Sequence, residues 1–228
     1  MAASDELAKA FSPHGTLVAA LLETWSGGLP DSDGSHDDSH LMRVWHMVKT
    51  IAADEPKADL EILAAATLLH DCVAVEKNAP NRAMASRLSA IAARKALARL
   101  GWREDRIEAV AHAIEAHSFS AGIEPRSLEA AILRDADRLD SLGALGIART
   151  FYIAGRMGSR LYDVADPFGR TRLPDDKNFA LDHFAIKLLK LEEGLITPAG
   201  RRIGRERTAL MRSFVEDMGR EISASPAE

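Results

Sequence analysis

An all-α fold is predicted by three observations on this 228-residue sequence: apolar residues recur at steps of three and four, turn-forming clusters separate these periodic segments, and no stretch alternates apolar with polar residues between turn signals. The first segment, about residues 5 to 26, runs to the richest turn cluster, Gly27-Gly28-Leu29-Pro30-Asp31-Ser32-Asp33-Gly34-Ser35, where a helix should end. From Ser39 to Ala53 the residues Leu41, Val44, Trp45, Val48 and Ile51 mark one buried helical face. Asp59 can cap the next helix, Leu60 to Leu69, which is apolar on nearly every side and should be the most buried. Three more helices are expected at about 82 to 99, 104 to 116 and 127 to 154, separated by the Gly101 turn and by Gly122-Ile123-Glu124-Pro125. Residues 155 to 176, with Gly158, Pro167, Gly169 and Pro174 among short polar side chains, predict a long loop that is either functional or tightly packed down. Two helices, about 178 to 191 and 198 to 221, complete the chain. No internal repeat or dividing linker stands out, so residues 1 to 228 read as a single helical domain.

Composition narrows the function classes. The chain is 46% hydrophobic and 28% charged, which excludes a disordered or low-complexity protein. With 29 basic against 34 acidic residues and a formal charge of -5, bulk charge attracts neither nucleic acid polymers nor an anionic membrane. The single cysteine, Cys72, cannot form an intrachain disulfide and reads as a small buried filler. The opening MAASDELAKAFS lacks a secretory pattern, and no segment approaches the roughly 20 apolar residues that cross a bilayer. A cytoplasmic location without a membrane span is expected.

The chemistry-bearing residues gather in three places. His70-Asp71 ends the most apolar helix, where two strongly polar side chains need partners. Upstream, His40 and Arg43 open a helix within His36-Asp37-Asp38-Ser39-His40, on one face with Met47. Downstream, Asp135-Ala136-Asp137-Arg138-Leu139-Asp140 places acids in an otherwise apolar segment, with Asp137 close to the inward side. Imidazole nitrogens and carboxylate oxygens from separate helices suit a divalent cation with positions left open for water and phosphate. The constellation is His40, His70, Asp71 and Asp137, with His36 or His46 the alternatives to His40, and Asp135 or Asp140 the alternatives to Asp137. The Met42, Trp45 and Met47 cluster reads as core.

The order His40, then His70-Asp71, then Asp137 resembles the HD-domain metal-dependent phosphohydrolases, over a motif core of about residues 35 to 150. His36-Asp37-x-x-His40-x-x-Arg43-Val44, Ala116-His117-Ser118-Phe119-Ser120, Asp166-Pro167-Phe168 and Leu181-Asp182-His183-Phe184-x-x-Lys187 are similar to a small stand-alone bacterial subgroup of that family. The resemblance implies a helical bundle of the HD-domain type, a divalent metal (Mn, Mg, Co, Ni or Fe) held by His40, His70, Asp71 and Asp137, and a nucleotide or related phosphate ester or anhydride as substrate. For the subgroup it points to nucleoside triphosphate pyrophosphohydrolysis. Some members carry a glutamate three positions after the dyad, where this chain has Ala74, which leaves Asp71 as the group to orient the attacking water and take its proton.

Phosphate contacts should surround the metal. Lys77, Asn78 and Arg82 follow the dyad in a polar loop, Arg43 lies one turn after His40, and His117 ends its helix, where it would hold phosphate, shuttle a proton, join a second metal or merely cap. Lys187 flanks an apolar helix face and is the remaining cation of the set, and Asp163 to Asp176 would form a wall or lid. A non-enzymatic HD module that binds a nucleotide or a partner protein is the competing class; its mark would be a missing ligand, and all of the expected ligands are present.

Overall fold

The computed structural model describes residues 2–24, 38–73, 75 and 84–223. Among these the fold is all-α: ten α-helices, short 3-10 segments, and a single isolated bridge between Arg160 and Phe179 in place of any strand. None of the described helices is long and apolar enough to cross a membrane. Contacts group the chain into two compact units, residues 1–137 and 138–228. The division falls inside a helix, after Asp137.

In the first unit, α1 (Ala2–Ala10) and α2 (Gly15–Thr24) replace the single helix expected to residue 26. Pro13, which has no N–H to donate and disfavours helical geometry at the residue before it, sits in the break. The apolar period survives the interruption because Leu7, Phe11, Val18 and Leu21 are all buried. α3 (Asp38–Ala52) buries Leu41, Val44, Trp45, Met47, Val48 and Ile51 as its spacing predicts, and Trp45 stacks on Phe11 with ring centroids 4.9 Å apart. α4 (Leu60–Leu69) is buried from Ile62 onward. The Asp59 carboxylate caps it, accepting from the backbone N–H groups of Glu61 and Ile62, and also takes two hydrogen bonds from Arg106. α5 (Ala85–Arg99) and α6 (Glu104–His117) pack on each other and on α4, and α7 (Leu128–Asp140) follows.

The second unit begins at the C-terminal turn of α7. The expected helix from 127 to 154 breaks there, and α8 (Gly143–Arg156) starts afresh. Gly143 has φ +76, a left-handed conformation that other residues adopt at a cost, and a Cβ at this position would lie 3.1 Å from Arg207 Cγ. Leu139 and Leu142 stay buried through the break, so the apolar rhythm does not register it. The expected helix 178–191 is instead the short α9 (Asp182–Ile186) followed by a 3-10 segment, Leu188–Gly194. The buried pair Leu188 and Leu191 is spaced by three, a period that a 3-10 helix satisfies as well as an α-helix. α10 (Pro198–Ser223) packs on α8, where Phe151, Phe184 and Phe214 cluster with centroids about 6 Å apart.

Residues 157–181 are irregular, as expected, and are packed down by a polar knot. Asp166 accepts the backbone N–H groups of Thr171, Arg170 and Arg172, which hold its carboxyl well below the usual carboxylate range. Arg172 grips the buried Asp182 through two hydrogen bonds of 2.6 and 2.9 Å and lies over the Phe179 ring.

Candidate metal centre

Four helices of the first unit deliver the site. His40 sits in the first turn of α3, His70 caps the C-terminus of α4 with Asp71 next to it, His117 is the last residue of α6, and Asp137 lies on α7. The three imidazoles are buried, and the carboxylates of Asp71 and Asp137 are half-buried, so the imidazoles form a floor and the acids face the solvent side.

His40 Nε2 is 3.3 Å from His70 Nε2 and 3.6 Å from Asp137 Oδ1. His70 Nε2 is 3.8 Å from both Asp137 Oδ1 and Asp71 Oδ2, and His117 Nε2 is 3.6 Å from Asp71 Oδ1. The other ring nitrogens explain these orientations. His70 Nδ1 donates to the Thr67 carbonyl at 2.8 Å and His117 Nδ1 donates to the Ile114 carbonyl at 2.6 Å. A carbonyl only accepts, so each clamp puts a proton on Nδ1 and turns Nε2 inward.

Ring nitrogens and anionic oxygens therefore converge with a cation's place between them. Donors about 2.0 to 2.2 Å from one ion stand roughly 2.8 to 4.4 Å apart as the angle opens from a right angle to a straight line. The spacings of 3.3 to 3.8 Å fall inside that range, and His40, His70 and Asp137 form one triad able to hold an ion, His70, Asp71 and His117 another. Two helix C-termini, those of α4 and α6, add partial negative charge. Burial pushes the His70 imidazole below the ordinary histidine range despite Asp71 and Asp137. Burial also opposes charge on His117, yet its hydrogen bond to Asp71 and the nearby carboxylate charges hold it above that range. The donor set fits a divalent cation of the nitrogen and oxygen class.

The described alternatives lie apart from the two triads. His46 is exposed on α3. Asp140 is buried in the second unit and bound to Arg149 Nη1 at 2.6 Å, and Asp135 is fully buried outside both triads. Arg43 lies one turn beyond His40 and hydrogen-bonds Ser39. Lys187 is exposed at the end of α9, in the second unit. Lys77, Asn78 and Arg82, together with His36, lie outside the described residues. His112 accepts a backbone hydrogen bond from Arg126 and belongs to packing. Sequence reasoning missed the carbonyls of Thr67 and Ile114, although each stands three residues before a helix-terminal histidine, and it missed the Arg172–Asp182 fork.

Comparison with known proteins bears directly on this geometry. A family model described as HD domain matches residues 37–142, which contain all five clustered side chains. YpgQ of Bacillus subtilis is 34% identical over 215 residues, covering 92% of this chain and 96% of that protein. The crystal structure of B. subtilis YpgQ in complex with ADP superposes with a TM-score of 0.64 at 32% identity, over 83% of this chain and 91% of that one. That of an HD-superfamily hydrolase from Bacillus thuringiensis gives 0.65 at 30% identity, over 98% and 100%.

Proposed function

This chain belongs to the HD-domain family, whose fold supports metal-dependent phosphohydrolysis, and on that footing we propose that it hydrolyses a phosphate ester or anhydride of a nucleotide, with nucleoside triphosphate pyrophosphohydrolysis as the specific reaction. The observation that supports the reading is the convergence of His40, His70 and Asp137 at donor spacings that suit one divalent ion, with Asp71 Oδ2 3.8 Å from the shared His70 Nε2. The nucleotide class is supported by the ADP held by the YpgQ relative.

His40, His70, Asp71 and Asp137 hold the metal in this reading. When bound, a divalent ion neutralises phosphate oxygens and lowers the pKa of water. The protein supplies the rest. The Thr67 clamp keeps His70 from rotating, and burial of the imidazole floor limits water to the carboxylate side. Asp71 is half-buried and offers a second oxygen beyond the one nearest His70, so it orients the attacking water and takes its proton. His117 lies 3.6 Å from the Asp71 carboxylate, and it is assigned to phosphate together with Arg43, Lys77, Asn78, Arg82 and Lys187.

The test is a screen of nucleotides and phosphomonoesters with Mn, Mg, Co and Ni, with phosphate and pyrophosphate measured separately. Metal-dependent release of pyrophosphate from a nucleoside triphosphate is expected. Release of orthophosphate alone would reassign the chain to a nucleotidase, and nucleotide binding without turnover at any metal would make it a binding module.

A further inference from the structure

We propose that Ser89 is the positioning residue for Asp71: a buried hydroxyl on α5, a helix that contributes nothing to the donor cluster, fixes the chain directly after His70-Asp71. The inference rests on the metal centre proposed above. Of the five clustered side chains, Asp71 alone lies past the cap of its helix. Its backbone belongs to a turn in which the Cys72 N–H reaches the Leu69 carbonyl at 3.3 Å, and a single hydrogen bond of that length is a weak closure. The direction of the Asp71 carboxylate is therefore set by whatever holds the residues that follow.

One residue of α5 holds them. The Val73 N–H donates to Ser89 Oγ at 3.2 Å, and the Cys72 thiol, a weak donor, lies 3.8 Å from the Ser89 carbonyl. Ser89 and Cys72 are both buried, so water does not stand in for either contact. Local preference argues the same way. The buried face of α5 is built largely on Ala85, Ala90, Ala93 and Ala96, and alanine at position 89 would suit the helix better and leave no polar atom to satisfy. The hydroxyl is explained by the N–H it accepts. His70 is thus clamped by a carbonyl of its own helix, and Asp71 from a different helix. Without the Ser89 bond the turn relaxes and the carboxylate moves from its place 3.8 Å from His70 Nε2, while His40, His70 and Asp137 keep theirs.

Manganese affinity of the full chain, titrated by electron paramagnetic resonance, tests this without reference to turnover. Groups that orient a metal ligand are worth about 10 to 100-fold in affinity, so Ser89→Ala should weaken Mn binding by about tenfold. Measured well below the melting transition, this readout does not move with stability alone. The same variant should speed hydrogen exchange at the Val73 amide. Ser86→Ala is the matched comparison: it alters the other serine of that buried face, which donates to the Glu115 carbonyl of α6 at 3.2 Å. It should keep Mn affinity within about threefold, far from the loss expected when a ligand's support is removed, and leave Val73 protected. If Ser89→Ala loses helical circular dichroism, Ser89→Cys, close in size and a weaker acceptor, repeats the test. Unchanged Mn affinity or unchanged Val73 exchange on replacing Ser89, or an equal loss of affinity in Ser86→Ala, would overturn the inference while the metal centre stands. No bound Mn in the unaltered chain would instead remove the metal centre, and Ser89's role with it.

Discussion

His70 uses both ring nitrogens while fully buried, one on the Thr67 carbonyl and one toward the donor cluster, so its replacement leaves no substitute nearby. His70→Ala and Asp71→Ala should each lose bound metal and turnover while helical circular dichroism remains, which metal analysis and a far-ultraviolet spectrum check together. The acids of α7 divide in a way the sequence alone could not decide, since Asp135, Asp137 and Asp140 share one short stretch. Asp137→Asn should weaken metal binding by more than about a hundredfold with little change in stability, given that even outer partners of metal ligands are worth about 10 to 100-fold. Asp140→Asn should do the reverse. It breaks a buried pair with Arg149 and should cost about 3 kcal/mol in a denaturant titration while metal affinity holds. Cys72, beside the site, is buried with its thiol pushed up to about 12 by desolvation. Thiol reagents at pH 8 should leave it unmodified in the native protein and label it fully in denaturant.

Helices announced themselves through apolar spacing, but their interruptions did not. Pro13, Gly143 and the turn from α9 into Leu188–Gly194 all sit where buried side chains continue on either side, so a pattern of burial alone runs through them. Only local backbone chemistry marks the breaks: a missing N–H at Pro13, a positive φ at Gly143. Gly143→Ala must hold a left-handed backbone and push a methyl group toward Arg207, whose Nη1 donates to the Leu139 carbonyl at 2.5 Å. A loss of about 1 to 3 kcal/mol is expected, read as a shifted urea midpoint at unchanged slope. The candidate cluster was more legible than the breaks, because His40, His70-Asp71 and Asp137 stand out by residue type and order. What spacing could not convey was orientation: which ring nitrogen points inward depends on carbonyls that every residue possesses, and the approach of α6, which brings His117 to Asp71, is a property of packing.

At the scale of the whole molecule, acid should be the effective denaturant. The carboxyls of Asp59, Glu108, Asp166 and Asp175 are all held below their ordinary values, Asp59 and Glu108 beside arginines and Asp166 and Asp175 through hydrogen bonds from their own loops. Below about pH 4 the unfolded chain takes up protons that these folded groups resist. Their contribution is thus fully present above the unfolded values and is lost as pH falls through the lower folded ones. Urea midpoints should be level between pH 6 and 7 and drop steeply below pH 4, and Asp166→Asn should make that drop shallower.

The division after Asp137 also splits the chromophores. Trp25, Trp45 and Trp102 all precede it, while Tyr152 and Tyr162 follow it. Emission excited at 295 nm therefore reports on the half that carries the candidate metal centre, and Trp45, packed flat against Phe11, should dominate its blue-shifted component. Far-ultraviolet ellipticity sums over both halves. Overlaying the two signals along a single melt thus measures whether the halves lose their structure at one temperature or two, with no label and no substitution.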